Sequence, residues 1–101
     1  MRKYETLLLL SPELTVEGRD SVINAFIAVI EREGGKMLAS DPWGMRDLAY
    51  PVNKQMRGFY VRFEYAGPST LVAELERNIR ITDGVYKFTT VKLADEVEEA
   101  V

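Results

Sequence analysis

Arg57-Gly58-Phe59-Tyr60-Val61-Arg62-Phe63-Glu64-Tyr65 alternates apolar and polar side chains with period two, the pattern of a strand that lays one face on a core. Phe59, Val61, Phe63 and Tyr65 fall on the face to be buried against helices, and Tyr60, Arg62 and Glu64 on the more open one. Gly67-Pro68-Ser69 ends the strand. On its N-terminal side, Lys36 to Ser40 and Gly44 to Ala49 read as a strand interrupted by Asp41-Pro42-Trp43-Gly44, followed by a polar connection from Pro51 to Arg57. Earlier still, Val22, Ile23, Phe26, Ile27 and Ile30 recur at helical spacing between Val16 and Glu33, with Thr15 as N-cap and Gly34-Gly35 as terminator. The chain opens with a strand over residues 3 to 10, which Ser11-Pro12 stops. On the C-terminal side Ser69 caps a helix of about 12 residues, striped by Leu71, Val72, Leu75 and Ile79. Thr82-Asp83-Gly84 then turns the chain into a last strand from Val85 to Leu93.

The order β-α-β-β-α-β, with right-handed crossovers, predicts an α+β fold of the ferredoxin-like type: a four-stranded antiparallel sheet with both helices on one face. Residues 1–94 are expected to form a single domain and residues 95–101 an acidic, disordered tail. This topology serves enzymes, sensors and RNA-binding modules alike, so function must come from residues.

The 101 residues contain neither cysteine nor histidine. Thiol nucleophiles, disulfides, Cys/His zinc sites and Ser-His-Asp triads are thereby excluded. The longest strictly apolar run, Ala25 to Ile30, falls far short of the ~20 residues of a bilayer span, and no signal-peptide core follows the start, so a cytoplasmic protein is expected. Thirteen basic and 16 acidic residues give a net charge of −3, but Asp95, Glu96, Glu98 and Glu99 lie in the last seven positions. Residues 1–94 therefore carry 13 positive and 12 negative charges. A near-neutral body of this kind accommodates a local basic face.

Asp41-Pro42-Trp43-Gly44-Met45-Arg46-Asp47-Leu48-Ala49-Tyr50-Pro51-Val52-Asn53-Lys54 resembles the signature of the bacterial small-subunit ribosomal protein six family. The correspondence lies in Gly44, Arg46, the triplet Leu48-Ala49-Tyr50, and Asn53-Lys54, with Val52 where the family usually has isoleucine. That exchange is a packing change of about 1 kcal/mol at a buried site and touches no function. The opening Met1-Arg2-Lys3-Tyr4-Glu5 is similar to the family's start, and the order of elements agrees from residue 1 to about 93.

The resemblance implies a structural constituent of the ribosome, without catalysis or cofactor, that binds the central domain of 16S ribosomal RNA during platform assembly. It does so jointly with small-subunit ribosomal protein eighteen, as a heterodimer. Phosphate neutralisation by Arg and Lys would supply the RNA contact, and Arg2, Lys3, Arg46, Lys54, Lys87 and Lys92 are the candidates. Arg2 and Lys3 start the first strand, while Lys87 and Lys92 lie on the last, so neighbouring strands are expected to bring these four cations together. Arg46 and Lys54 depend on the connection between strands two and three folding toward the same RNA. Trp43, Tyr50, Tyr60 and Arg62 are candidates for contact with the partner protein or RNA. Their competing readings are core packing for Trp43 and Tyr50 and amphipathic cover of the open sheet face for Tyr60 and Arg62.

Two other readings compete with this one. Arg57-Gly58-Phe59 begins like the third-strand signature of an RNA-recognition motif, but Tyr60-Val61-Arg62 departs from it, and Phe59 and Phe63 belong by parity to the helix side. A ligand-sensing regulatory domain shares the topology, without the catalytic partner domain that usually accompanies one. An acylphosphatase-like enzyme is disfavoured by Ser11-Pro12-Glu13-Leu14, which puts an acid where a phosphate-cradling glycine loop is needed.

Overall fold

A computed structural model describes residues 2–94. The acidic tail over 95–101 lies outside the described residues. The chain runs β1 (Arg2–Leu10), α1 (Val16–Arg32), β2 (Lys36–Val52), β3 (Gln55–Gly67), α2 (Ser69–Arg80) and β4 (Val85–Ala94). The strands form one antiparallel sheet in the order β2-β3-β1-β4, the predicted ferredoxin-like arrangement.

Alternation decides which side of the sheet is buried. Tyr4, Leu8 and Leu10 of β1 join Val61, Phe63 and Tyr65 of β3 in a core closed by Phe26, Val29 and Ile30 of α1 and Leu71, Leu75 and Ile79 of α2. Phe59, assigned to the same face, packs at its margin. Between the strands a polar ladder is buried with the apolar side chains: Thr6 Oγ1 lies 2.8 Å from the Tyr65 hydroxyl and 2.9 Å from Thr90 Oγ1. Burial, offset in part by the Thr6 and Thr90 hydrogen bonds, raises the Tyr65 pKa, so its phenol stays neutral.

Both helix starts differ in how they are capped. The Thr15 side chain accepts from the Gly18 amide at 3.0 Å, as expected. Ser69, the expected cap of the second helix, is instead its first helical residue. Pro68 holds the cap position at φ −70° and ψ 157°, without a side-chain bond, because its ring fixes the extended entry one residue earlier. After α1, Gly34 takes φ +84° and the Gly35 amide donates to the Ile30 carbonyl at 2.8 Å. A Cβ at Gly35 would lie 2.9 Å from the Ile30 oxygen and 3.0 Å from the Ala66 oxygen, so the terminator also lets β2 depart close against β3.

The interrupted second strand and its polar connection are not what the fold contains. β2 continues through Pro42 and Pro51 to Val52, and Asn53-Lys54 alone turns the chain into β3. Both prolines are tolerated because β2 is an edge strand, where a missing N–H costs no ladder bond on the open side. Register shifts absorb the irregular residues, one between Pro42 and Gly44 and one between Asp47 and Val52. Over the second, β2 uses the four residues Leu48 to Pro51 where β3 uses Met56 alone, between the pairs Asp47↔Arg57 and Val52↔Gln55. The last pair of β1 with β3 is Leu10↔Phe59, so the β2–β3 hairpin runs on beyond the sheet as an arm. The molecule is correspondingly long, 41 Å against 24 and 23 Å.

Candidate nucleic-acid interface

The sheet face opposite the helices carries two unlike regions. The first is a charge network around Arg62, whose guanidinium lies 3.1 Å from Asp41 Oδ2, 3.3 Å from Glu5 Oε2 and 3.7 Å from Glu64 Oε1. Lys3 Nζ lies 2.7 Å from Glu64 Oε1. Alternation and register explain the gathering, since Glu5 pairs with Glu64 and Asp41 with Arg62 across adjacent strands. The Lys3 hydrogen bond, working against partial desolvation, holds the Glu64 carboxyl below the usual carboxylate range. Two cations thus meet three carboxylates, and neither Lys3 nor Arg62 has charge left over for phosphate.

The second region is apolar. A groove of about 190 Å³ is lined by Leu9, Leu48, Ala49, Tyr50, Val52, Tyr60 and Lys87, and a neighbouring depression of about 150 Å³ shares Leu9, Tyr60 and Lys87 with it. The extra residues of β2 build its wall: the bulge at Leu48 to Pro51 puts Tyr50 beside β4, where Lys87 Nζ sits 5.0 Å from the Tyr50 ring centre and donates to its hydroxyl at 3.4 Å. Tyr50 is 61% exposed, so it does not close the core. Trp43, 46% exposed at the Pro42/Gly44 bulge, faces Tyr60 with ring centres 6.4 Å apart. Trp43, Tyr50 and Tyr60 therefore share the open face with Arg62, as aromatic surface beside a closed charge network.

The six candidate cations do not form one cluster. Register places Lys87 opposite Leu9, at the arm end of β4, and Lys92 opposite Tyr4, near the start of β1. The expected meeting of Arg2, Lys3, Lys87 and Lys92 is therefore wrong: β1 and β4 are neighbours, but five residues of strand separate the two lysines, a length of roughly 17 Å. Lys87 and Lys92 are also of opposite parity, so they belong to opposite faces. Arg2 and Lys92 remain exposed at one end, and Arg46 and Lys54 lie exposed on the arm with Lys87 near its base. Among the described residues, Arg46 and Lys54 make no ion pair, whereas Arg57 of the arm lies 3.0 Å from Asp47. Reading the strand sequences missed Glu5, Asp41 and Glu64 as partners of Arg62. Parity gave the common face of Arg62 and Glu64, but the cross-strand register that adds Glu5 and Asp41 is a tertiary property.

No group of three or more metal-ligating side chains occurs among the described residues, and no described helix is long and apolar enough to cross a membrane. Phe63, the aromatic that an RNA-recognition motif would need on its open face, is fully buried on the helix side. What the fold presents is a small α+β protein with a polar-aromatic sheet face and cations at its periphery, the form of a component that docks in an assembly.

The comparisons name the assembly. The sequence matches the family Ribosomal protein S6 over residues 3–92. It is 70% identical over 97 residues to the small ribosomal subunit protein bS6 of Desulfovibrio desulfuricans, covering 96% of this chain and 95% of that one. The bS6 protein of Nitratidesulfovibrio vulgaris (strain Miyazaki F) is 66% identical over 99 residues, 98% of each chain. The crystal structure of 30S ribosomal protein S6 from Thermotoga maritima superposes with a TM-score of 0.86 at 26% identity, over 90% of this chain and 86% of that one. The chain belongs to the ribosomal protein S6 family, and its place is in the small ribosomal subunit, in the cytoplasm.

Proposed function

We propose that this protein binds the central domain of 16S ribosomal RNA together with small-subunit ribosomal protein eighteen, and that residues 1–94 act as one binding domain with no catalytic step. The observation that carries this reading is the separation of charges. Lys3 and Arg62 on the sheet face are already matched by carboxylates, while exposed aromatic and apolar side chains lie beside them. A surface of that kind suits a protein partner, because buried charges at an interface must arrive paired. RNA then takes the peripheral cations, for which Arg2, Lys3, Arg46, Lys54, Lys87 and Lys92 were the sequence candidates; Lys3 among them is already engaged by the Glu64 carboxylate.

A small set of phosphate contacts gives weak, salt-sensitive binding alone and much tighter binding once a second chain completes the site. Binding to a central-domain ribosomal RNA fragment at two salt concentrations, with and without protein eighteen, tests this. Tight binding only with the partner is the expected result. Equal binding without it would remove the shared site, and no binding in either case would remove the RNA reading.

A further inference from the structure

We infer that the RNA backbone docks on the β2–β3 arm, at Arg46, Lys54 and Lys87, and not at the opposite end of the sheet where Arg2 and Lys92 lie. The inference rests on the RNA reading above and adds its location. Residues 45–58 hold the cations Arg46, Lys54 and Arg57 against the single acid Asp47. Lys87 joins them at the groove through Tyr50. With Glu13, which reaches the arm through Gln55, these four cations face two acids and leave nine cations and ten acids to the rest of residues 2–94, so positive charge is concentrated where the arm leaves the sheet. Asp47 is engaged by Arg57, and Glu13, which meets the arm from the β1–α1 loop, accepts a hydrogen bond from Gln55 at 3.3 Å.

The turn supplies a second, independent observation. Asn53 and Lys54 have φ of 48° and 63°, the paired positive values of a type I′ hairpin, where glycine is preferred at the second position. A lysine held there gives up backbone stability, and local rules broken in this way cluster at binding sites. The turn projects the Lys54 cation from the outermost point of the arm, beyond every β1 contact.

The test uses the full chain with protein eighteen and the same RNA fragment, comparing pairs of charge-neutralising variants. Arg46→Gln with Lys54→Gln is expected to weaken binding at least tenfold and to flatten the log–log salt slope by about 1.4 to 1.8. Lys36→Gln with Arg32→Gln, an equal loss of charge at the α1–β2 connection far from the arm, is expected to stay within about twofold. Lys54→Gly guards against misfolding, since glycine suits the turn: it should raise the melting temperature and still weaken RNA binding. A larger loss from Arg2→Gln with Lys92→Gln than from the arm pair would overturn the arm assignment while leaving RNA binding intact, as would unchanged binding by Lys54→Gly. Failure of the wild-type heterodimer to bind would overturn the RNA reading and this inference together.

Discussion

Glu64 sits between Lys3 and Arg62, and its lowered pKa is a statement about stability. A carboxyl whose folded pKa lies below its unfolded value, ordinarily 4.5, stabilises the fold above that value and loses the contribution as pH falls through the folded pKa. Denaturation midpoints of the wild type should therefore drop as pH is lowered below about 5, and Lys3→Met should show a smaller drop because its Glu64 begins closer to the unfolded value. Parallel curves for the two proteins would mean that the ion pair contributes nothing. At the arm tip the sign is reversed: relieving the left-handed backbone at Lys54 by glycine should add about 1 kcal/mol. The strained backbone behind these opposing effects is not visible in the sequence, where Asn53-Lys54 reads as the end of the family signature in a polar connection and Lys54 as an RNA-contact candidate.

At the scale of elements, the Thr6–Tyr65–Thr90 ladder ties the three strands β3, β1 and β4 to each other inside the core. Tyr65→Phe removes one buried hydroxyl and leaves Thr6 its bond to Thr90, so a loss of about 1 kcal/mol is expected. Thr6→Val strands both neighbours in the core and should cost more, about 1–3 kcal/mol; urea denaturation of the two variants decides the order. The regular elements were legible because each had a single period to obey. Val22, Ile23, Phe26, Ile27 and Ile30 marked α1, although Val29, which also reaches the core, lay outside that selection. β2 was the failure, since prolines and an aromatic break its alternation and only the ladder with β3 shows that the strand continues. The residues Leu48 to Pro51 are legible as a motif, but their role as a bulge that carries Tyr50 to Lys87 depends on β4, which lies 35 residues further along the chain.

For the whole molecule, charge is divided between a positive arm, a neutralised sheet face and the acidic positions Asp95, Glu96, Glu98 and Glu99. Removing residues 95–101 changes the formal charge from −3 to +1 by the loss of four acids. If those acids compete with RNA for the arm, the truncated protein should bind nonspecific RNA more tightly and with a steeper salt dependence. Filter binding at several salt concentrations measures this, and unchanged affinity would dismiss the competition. Sequence alone determined the element order, the buried face of β3, the absence of thiol and imidazole chemistry, and the family resemblance, because these follow from local periodicity and from which residues are present. The tertiary structure alone decided that Arg62 is matched by Glu5, Asp41 and Glu64, that Lys87 and Lys92 stand apart, and that Arg46 and Lys54 ride an arm beyond the sheet. Register between strands distant in sequence sets which charges meet, and in near-neutral chains that pairing determines which cations remain for a partner.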